Sequence, residues 1–256
     1  MKLKFIGTSS GQTTLTRNHS SLFFQLGSTN ILIDVGDGIS KALLHQNVDH
    51  NLIDKIIISH FHSDHLAGLP SLLTQMIIAK RRKAIEIYTH KSLLKTLIRF
   101  LESSFLFIDK YDFEIKITGF ENDKEINLSD ELKFISKQNS HITNKRNVDI
   151  QDLEFMSVSF LFKVNDKNII YTADIGCNED LYLFKNYNSE LYITESTHIT
   201  LNQIEQFELV QNPKKIVLTH INSSDEKLLS DWYQGLPFNK KQKITIAEDG
   251  LEINLI

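Results

Sequence analysis

The sequence has few of the residues that cross-link a chain or divide it into segments. Cys177 is the only cysteine among 256 residues, so no disulfide can form within the chain. Because disulfides belong to oxidising compartments, we expect a cytoplasmic location. The three prolines, Pro70, Pro213 and Pro237, are widely scattered, and no Pro/Gly/Ser-rich linker separates them. The sequence therefore predicts a single domain over residues 1–256.

Long hydrophobic runs and a strong charge of either sign are also absent. The apolar start Met1–Ile6 ends at Gly7, too soon for a signal-peptide core, and no later run reaches membrane-spanning length. We therefore expect no membrane partner. The net charge of −4 disfavours binding of long duplexes through the field of the whole protein. The one dense basic run, residues 80–83, is either a phosphate contact or a solvated helix end.

Two pairs of segments resemble each other in the same order along the chain. Residues 22–34 and 160–172 both have the pattern of a β-hairpin, two apolar runs around a polar turn. Residues 55–60 match residues 215–220 position for position, and each is an aliphatic strand that ends in a hydroxyl residue and a histidine. The repeat predicts two halves, each presenting a histidine where a strand ends.

The apolar patterns predict an α/β protein with helices covering its sheets. Short continuous apolar strands such as Ile56–Ile58 are expected where a sheet is covered on both faces. An apolar stripe at helical spacing runs from Leu66 to Ile77, and a second helix is predicted over residues 91–105. The simplest architecture is two sheets packed face to face with helices outside, each half contributing one sheet and its helices.

The run from His60 to His65 carries the strongest chemical signal, with three histidines and one aspartate in six positions. Imidazole and carboxylate ligands suit Zn²⁺, and also Mn²⁺ or Fe²⁺, whereas Ca²⁺ and Mg²⁺ prefer oxygen ligands alone. A turn at a strand end can direct these side chains toward two neighbouring ions. Two ions about 3.5–4 Å apart ionise a bridging water near neutral pH, which favours hydrolysis.

Such a run supplies too few ligands for two ions, so others must come from distant segments. Three residues follow predicted strands and qualify: His141 after residues 132–136, Asp174 after residues 169–173, and His220 at the end of the repeated strand. Each of them alone could be an ordinary loop residue. The internal repeat favours His220.

These residues resemble the metallo-β-lactamase superfamily, and within it ribonuclease Z, the transfer-RNA 3′-processing endonuclease, and its phosphodiesterase relatives. The resemblance is most specific at residues 59–70, which are similar to the metal loop and following helix of that group. Residues 5–11, 17–18 and 33–38 are similar to the family's opening. The resemblance implies a four-layer αββα sandwich with the site at one edge between the sheets.

The resemblance also implies metal ligands in two groups that share one residue: His60, His62 and His141 for one ion, Asp64, His65 and His220 for the other, and Asp174 bridging both. Two Zn²⁺ ions are expected, with Mn²⁺ or Fe²⁺ as alternatives. Asp64 would orient or deprotonate the attacking water, so that a hydroxide held between the ions cleaves a P–O bond. The implied activity is that of a binuclear phosphodiesterase.

Further roles follow from the same resemblance. Residues 198–200 are similar to a His-x-Thr motif of the phosphodiesterase branch, in which His198 would stabilise the phosphate or protonate the leaving oxygen. An ordinary loop histidine is the alternative. Glu195 would orient His198 by a hydrogen bond. Arg17 could contact phosphate through both guanidinium nitrogens, and Arg17 and Asn18 are the predicted substrate-binding residues.

The departures from ribonuclease Z concern its substrate. Residues 13–18 lack the proline and lysine of the family's opening. The interval between His141 and Asp174 is too short for the long arm that grips transfer RNA, and residues 145–146 are its only basic cluster. A small nucleotide is thus favoured over an RNA 3′ end as the phosphodiester substrate. Hydrolysis of a thioester, lactone or β-lactam and a non-catalytic metal module are the alternatives, and the resemblance implies a homodimer.

Overall fold

Two seven-stranded sheets form the centre of the fold in a computed structural model, which describes residues 1–144, 147–150 and 153–255. The strands are β1 (Lys2–Gly7), β2 (Ser21–Leu26), β3 (Thr29–Ile33), β4 (Lys55–Ile57), β5 (Ile85–His90), β6 (Ile115–Phe120), β7 (Glu125–Asn127), β8 (Leu132–Gln138), β9 (Val158–Val164), β10 (Lys167–Tyr171), β11 (Leu191–Glu195), β12 (Ile216–Thr219), β13 (Ile244–Ile246) and β14 (Glu252–Asn254). The predicted hairpins are confirmed as β2–β3 and β9–β10.

Helices lie between and after these strands. The α-helices are α1 (Ile39–His45), α2 (Ser63–Leu66), α3 (Leu69–Ile78), α4 (Leu94–Ser103), α5 (Leu201–Gln211), α6 (Glu226–Gly235) and α7 (Phe238–Lys243). Short 3₁₀ helices span His50–Leu52, Lys91–Leu93, Asn178–Tyr182 and Ser223–Asp225. Across the described ranges, no helix has the length and apolar character that crossing a membrane requires.

The two sheets have matching topologies. The first has the order β14-β1-β2-β3-β4-β5-β6 and the second the order β13-β12-β11-β10-β9-β8-β7. In each sheet the hairpin is antiparallel, and its second strand continues into parallel neighbours, β4 after β3 and β11 after β10. The repeat seen in the sequence therefore corresponds to a repeated sheet topology.

Three apolar clusters fill the spaces between the layers of sheets and helices. One lies between the sheets, where Phe24 and Phe162 pack edge to face with ring centroids 5.1 Å apart. A second joins the outer face of the first sheet to α1, α3 and α4, and a third joins the second sheet to α5 and α6. Each sheet is thus covered on both faces, which explains the continuous apolar strands. The predicted αββα arrangement is confirmed.

Some predicted boundaries are wrong. The repeated strands are shorter than expected: β4 ends at Ile57 and β12 at Thr219, so His60 lies in the loop beyond its strand. The apolar stripe at 66–77 is divided between α2 and α3, and the segment at 91–105 begins as a 3₁₀ turn. The last strand, β14, pairs with β1 and covers its outer edge, so the two halves do not keep entirely separate sheets.

Arg81 in the basic run is buried and not available for phosphate, with only 4% of its surface exposed. Burial lowers the pKa of its guanidinium, although nearby Asp54 and Asp49 oppose that shift. The side chain donates hydrogen bonds of 2.6–3.4 Å to five backbone carbonyls, those of His50, Asn51, Ile53, Lys83 and Ala84. For Arg81 both interpretations, a phosphate contact and a solvated helix end, are therefore wrong, because its buried guanidinium connects the segments before and after β4.

We expect Arg81→Met to lower the free energy of unfolding by about 2–4 kcal/mol, because it leaves buried carbonyls without their charged donor. Urea denaturation measures this change. The matched control is Arg82→Met, since Arg82 is 69% exposed and pairs with Asp112 on the surface; it should change the free energy by less than about 1 kcal/mol. Equal losses in the two variants would contradict the structural role of Arg81.

Candidate metal centre

The predicted ligands gather at one edge of the two sheets. His60 follows β4, His141 follows β8, Asp174 follows β10 and His220 follows β12. The carboxyl ends of parallel strands meet at the same edge of a sheet, and side chains beyond them converge there. Because the two sheets face each other, loops from both reach a common volume.

The first group contains His60, His62, His141 and Asp174, whose potential ligand atoms lie within 4.8 Å of one another. His62 Nδ1 is 3.0 Å from His141 Nε2. Asp174 Oδ2 lies 3.5 Å from His141 Nε2 and 4.0 Å from His60 Nε2. Three imidazoles and one carboxylate oxygen thus surround a single point.

The second group contains Asp64, His65, His220 and the same Asp174. His220 Nε2 lies 3.1 Å from both Asp64 Oδ2 and Asp174 Oδ2. His65 Nε2 lies 3.2 Å from Asp174 Oδ1. Every predicted metal ligand is therefore in one of two adjoining groups, and Asp174 belongs to both.

Buried polar atoms without partners indicate that these groups fit cations. His60 Nε2, His65 Nε2 and Asp174 Oδ1 are buried and make no hydrogen bond within the described part of the chain. Buried polar atoms are nearly always satisfied, because desolvation without a partner costs about 1–3 kcal/mol. The imidazole and carboxylate donors suit Zn²⁺, Mn²⁺ or Fe²⁺. A pair of such cations would satisfy all three atoms.

The pKa shifts of His60, His141 and Asp64 match the ligand states that metals require, whereas the charge of Asp174 raises the pKa of His65 and of His220 although burial opposes the shift. Burial lowers the pKa of His60 well below its usual value, and burial lowers the pKa of His141 to about 4. Burial alone would raise the pKa of Asp64, but its hydrogen bond with His220 and the charge of His65 hold it at about 2. Neutral imidazoles and ionised carboxylates are the forms that bind metal.

Asp34 is a site residue to which sequence reasoning assigned no role. Its buried carboxylate accepts hydrogen bonds from His65 Nδ1 at 2.8 Å, Tyr171 Oη at 3.0 Å, and both the amide and hydroxyl of Ser59 at 2.8 and 2.9 Å. Because Nδ1 of His65 donates to Asp34, its Nε2 faces the candidate metals with a free lone pair. The signal for this role is a carboxylate directly after the apolar strand β3.

Glu195 holds His198 beside the two groups. Its buried carboxylate lies 2.8 Å from His198 Nδ1 through each oxygen and also accepts the amide hydrogens of Ile175 and Thr197. This hydrogen bond raises the pKa of His198, although partial burial opposes the shift. The His198 ring lies 4.8 Å from the ring of His141. The expected hydrogen bond between Glu195 and His198 is present, and it leaves Nε2 of His198 for another partner.

Arg17 and Asn18 contact other parts of the chain. Arg17 donates to Thr8 Oγ1, to the carbonyl of Ala247 and to Glu226 at 2.7–2.8 Å. Asn18 donates two hydrogen bonds to the carboxylate of Asp249, one from its backbone N–H and one from its side-chain Nδ2. These bonds tie the N-terminal loop, in which Gly11 approaches Asp64, to the C-terminal segment. The geometry favours a structural role for both residues, and substrate binding stays a prediction.

Two packed mixed sheets with histidines and aspartates at one edge define a protein of metallo-β-lactamase fold. The fold matches human tRNase Z, short form, with a TM-score of 0.74 and 20% identity over 99% of each chain. It also matches the metallo-β-lactamase fold protein YhfI from Bacillus subtilis, with a TM-score of 0.73 and 18% identity over 98% of each chain. The predicted fold class is confirmed by these similarities.

Within that class the sequence itself identifies a family. Residues 1–244 match the family described as Anti-Pycsar protein Apyc1, and the chain belongs to that family. The chain is also similar to Ribonuclease Z of Prochlorococcus marinus subsp. pastoris, with 39% identity over 129 residues. That match covers 50% of this chain and 40% of the relative. The resemblance to ribonuclease Z noted in the sequence is therefore confirmed.

Proposed function

We propose that this protein is a binuclear metal-dependent phosphodiesterase that hydrolyses P–O bonds. The observation that carries the proposal is the pair of ligand groups sharing Asp174, with the Glu195-held His198 beside them. Structural zinc sites fill every coordination position with protein ligands. Here only three residues are exclusive to each group and Asp174 is shared, which is closer to the three protein ligands of catalytic sites and supports a catalytic role.

Each residue has a distinct task in the proposed reaction. His60, His62 and His141 would hold one ion, and Asp64, His65 and His220 the other, with Asp174 between them. When bound, two such ions ionise a water near neutral pH and offset charge on the phosphoryl oxygens. The Asp64 carboxylate orients the attacking water by accepting its hydrogen bond. His198, oriented by Glu195, donates a proton from Nε2 to the leaving oxygen.

The loop after His141 supports a small substrate. Residues 142–157 separate His141 from β9, and the described part of this loop contains neither helix nor strand. The predicted basic cluster at residues 145–146 lies outside the described residues. An arm that grips transfer RNA through several phosphates needs more basic residues than this loop holds. We therefore propose a small nucleotide phosphodiester as the substrate, with an RNA 3′ end as the second candidate because of the similarity to Ribonuclease Z.

A metal and activity assay tests the proposal. The purified protein should bind about two transition-metal ions per chain and hydrolyse bis(p-nitrophenyl) phosphate. Chelation should abolish the activity, and Zn²⁺ should restore it. A cyclic nucleotide, a precursor transfer RNA and a thioester assayed side by side give the substrate class. Full metal content without phosphodiester turnover, or faster cleavage of the thioester, would overturn the assignment.

The remaining parts of the proposal concern metal identity, location and assembly. We propose Zn²⁺ as the resident ion, because the mixed histidine and aspartate donors are typical of catalytic zinc sites. Mn²⁺ and Fe²⁺ are the alternatives that metal analysis distinguishes. A homodimer is proposed from the family resemblance, and gel filtration measures it. A cytoplasmic location is proposed because the chain has a single cysteine.

A further inference from the structure

Asp180 is a buried acidic residue outside the two ligand groups. It lies in the 3₁₀ helix Asn178–Tyr182 and is only 6% exposed. One oxygen, Oδ2, accepts three hydrogen bonds: from the amide of Ser140 at 3.0 Å, from the hydroxyl of Ser140 at 2.7 Å and from the amide of Gly176 at 2.9 Å. Hydrogen bonds to an ionised carboxylate are about twice as strong as neutral ones.

The donors belong to the two loops that carry His141 and Asp174. Ser140 directly precedes His141, and Gly176 lies two residues after Asp174. The strands before these loops, β8 and β10, lie on opposite sides of β9 and do not pair with each other. Two strand spacings, roughly 9–10 Å, therefore separate the loop origins. The hydrogen bonds of the sheet do not bring His141 and Asp174 together. Contacts between the loops beyond the sheet must do so.

Two further features show how closely the loops approach. A Cβ atom added to Gly176 would lie 2.3 Å from the carbonyl oxygen of Ser140, so no other residue fits there without movement. The side-chain amide of Asn139 donates to the carbonyl of Asp174 at 2.9 Å, while its oxygen accepts the amide of His141 at 3.2 Å. Asn139 and Asp180 thus connect the same pair of loops.

We infer that Asp180 is a positioning residue that holds the His141 loop against the Asp174 loop, so that both side chains reach a common ion. The inference rests on the proposed function. His141 Nε2 lies 3.5 Å from Asp174 Oδ2 while these bonds are in place. Among the residues that the structure describes, Asp180 makes no side-chain hydrogen bond to the loop of His60 and His62 or to His220. Its removal should therefore act most strongly on the ion held by His141, and less on the other ion, whose group shares only Asp174 with these two loops.

Metal affinities of Asp180 variants test the inference without relying on catalysis. Competition with a chromophoric chelator measures the affinity of each Zn²⁺, and the visible spectrum of the Co²⁺ form reports the geometry of the sites. We expect Asp180→Ala to weaken the binding of the ion held by His141 about 10–100-fold, the effect typical of residues that orient ligands, and to weaken the other ion less. Asp180→Asn keeps an acceptor oxygen and should recover most of the affinity.

The matched control is Asp54→Ala. Asp54 also accepts a backbone hydrogen bond, from Asn30 at 2.9 Å, but it precedes β4 whereas His60 follows that strand. This variant should lose thermal stability and keep both metal affinities. If Asp180→Ala does not fold, Ser140→Ala removes only the hydroxyl donor and should weaken the same ion to a smaller degree.

The outcomes separate the inference from the proposed function. Wild-type protein that fails to bind two ions, or binds them without cleaving a phosphodiester, would overturn the function. Wild-type protein that does both, together with Asp180→Ala protein that binds both ions normally, would overturn only the role of Asp180. A loss of metal affinity in Asp54→Ala as large as that in Asp180→Ala would also overturn it, because that result indicates general destabilisation.

Discussion

Replacement of Asp64 by alanine is expected to lower kcat for bis(p-nitrophenyl) phosphate roughly a thousandfold, within the range of about 10²–10⁴ for a positioned acid or base. Asp64 is nearly buried, and its Oδ2 lies 3.1 Å from His220 Nε2 and 3.5 Å from His65 Nε2. The substitution removes both a candidate ligand of one ion and the acceptor that would orient the attacking water. The loss should therefore exceed that from removing an ordinary substrate contact.

Steady-state kinetics with metal analysis of the same samples measures this effect. Asp64→Asn keeps the shape of the side chain and removes its charge, so it separates the role of the carboxylate from packing. The control is Asp112→Ala, which removes a carboxylate that is 71% exposed and should leave kcat unchanged. If Asp64→Ala protein kept full metal content and more than about a tenth of the activity, Asp64 would not be the acceptor in the reaction.

Replacement of His198 by alanine should have an effect that depends on the leaving group. A sugar hydroxyl must be protonated as it leaves, whereas p-nitrophenolate leaves without a proton. We expect a loss of about 10²–10⁴-fold for a cyclic nucleotide and a much smaller one for bis(p-nitrophenyl) phosphate. The reason is geometric: Glu195 fixes Nδ1 of His198 at 2.8 Å, and the ring lies beside that of His141.

Parallel kinetics with the two substrates measures that dependence. His45→Ala is the matched control, because His45 is an exposed histidine on α1. Equal losses for both substrates would mean that His198 stabilises the phosphate and does not donate a proton. No loss for either substrate would contradict the phosphodiesterase proposal and favour hydrolysis of a thioester or lactone.

Local patterns predicted the hairpins and the covered sheets, but not where the strands end. The two apolar runs and the polar turn of residues 22–34 are sufficient to predict β2 and β3, because these strands pair with each other across a short turn. The end of β4 depends on a distant side chain. Ser59 donates its amide hydrogen to Asp34 at 2.8 Å, so the backbone leaves the sheet before His60. Nothing in the sequence of residues 55–60 indicates that Asp34 is the hydrogen-bond partner of Ser59.

The candidate site shows the same division between local and distant information. The ligands in the run from His60 to His65 are visible as a cluster in the sequence, and the repeat indicates His220. Asp34, Asn139 and Asp180 act only through partners that the fold brings to them, such as Tyr171, which lies 137 residues beyond Asp34. Arg17 was predicted from a short motif to bind substrate, yet its carboxylate partner, Glu226, lies 209 residues away.

The pairing of β14 with β1 has a consequence for the order of folding. Leu3 lies opposite Ile253, so the first strand receives its outer neighbour from the far end of the chain. Contacts between such distant positions carry the largest loop-closure entropy and form slowly. β1 can pair with β2 early, but its outer edge stays open until residues 252–254 are available. The hydrogen bonds that hold the loop beside Asp64, from Arg17 to Ala247 and from Asn18 to Asp249, also require this late segment.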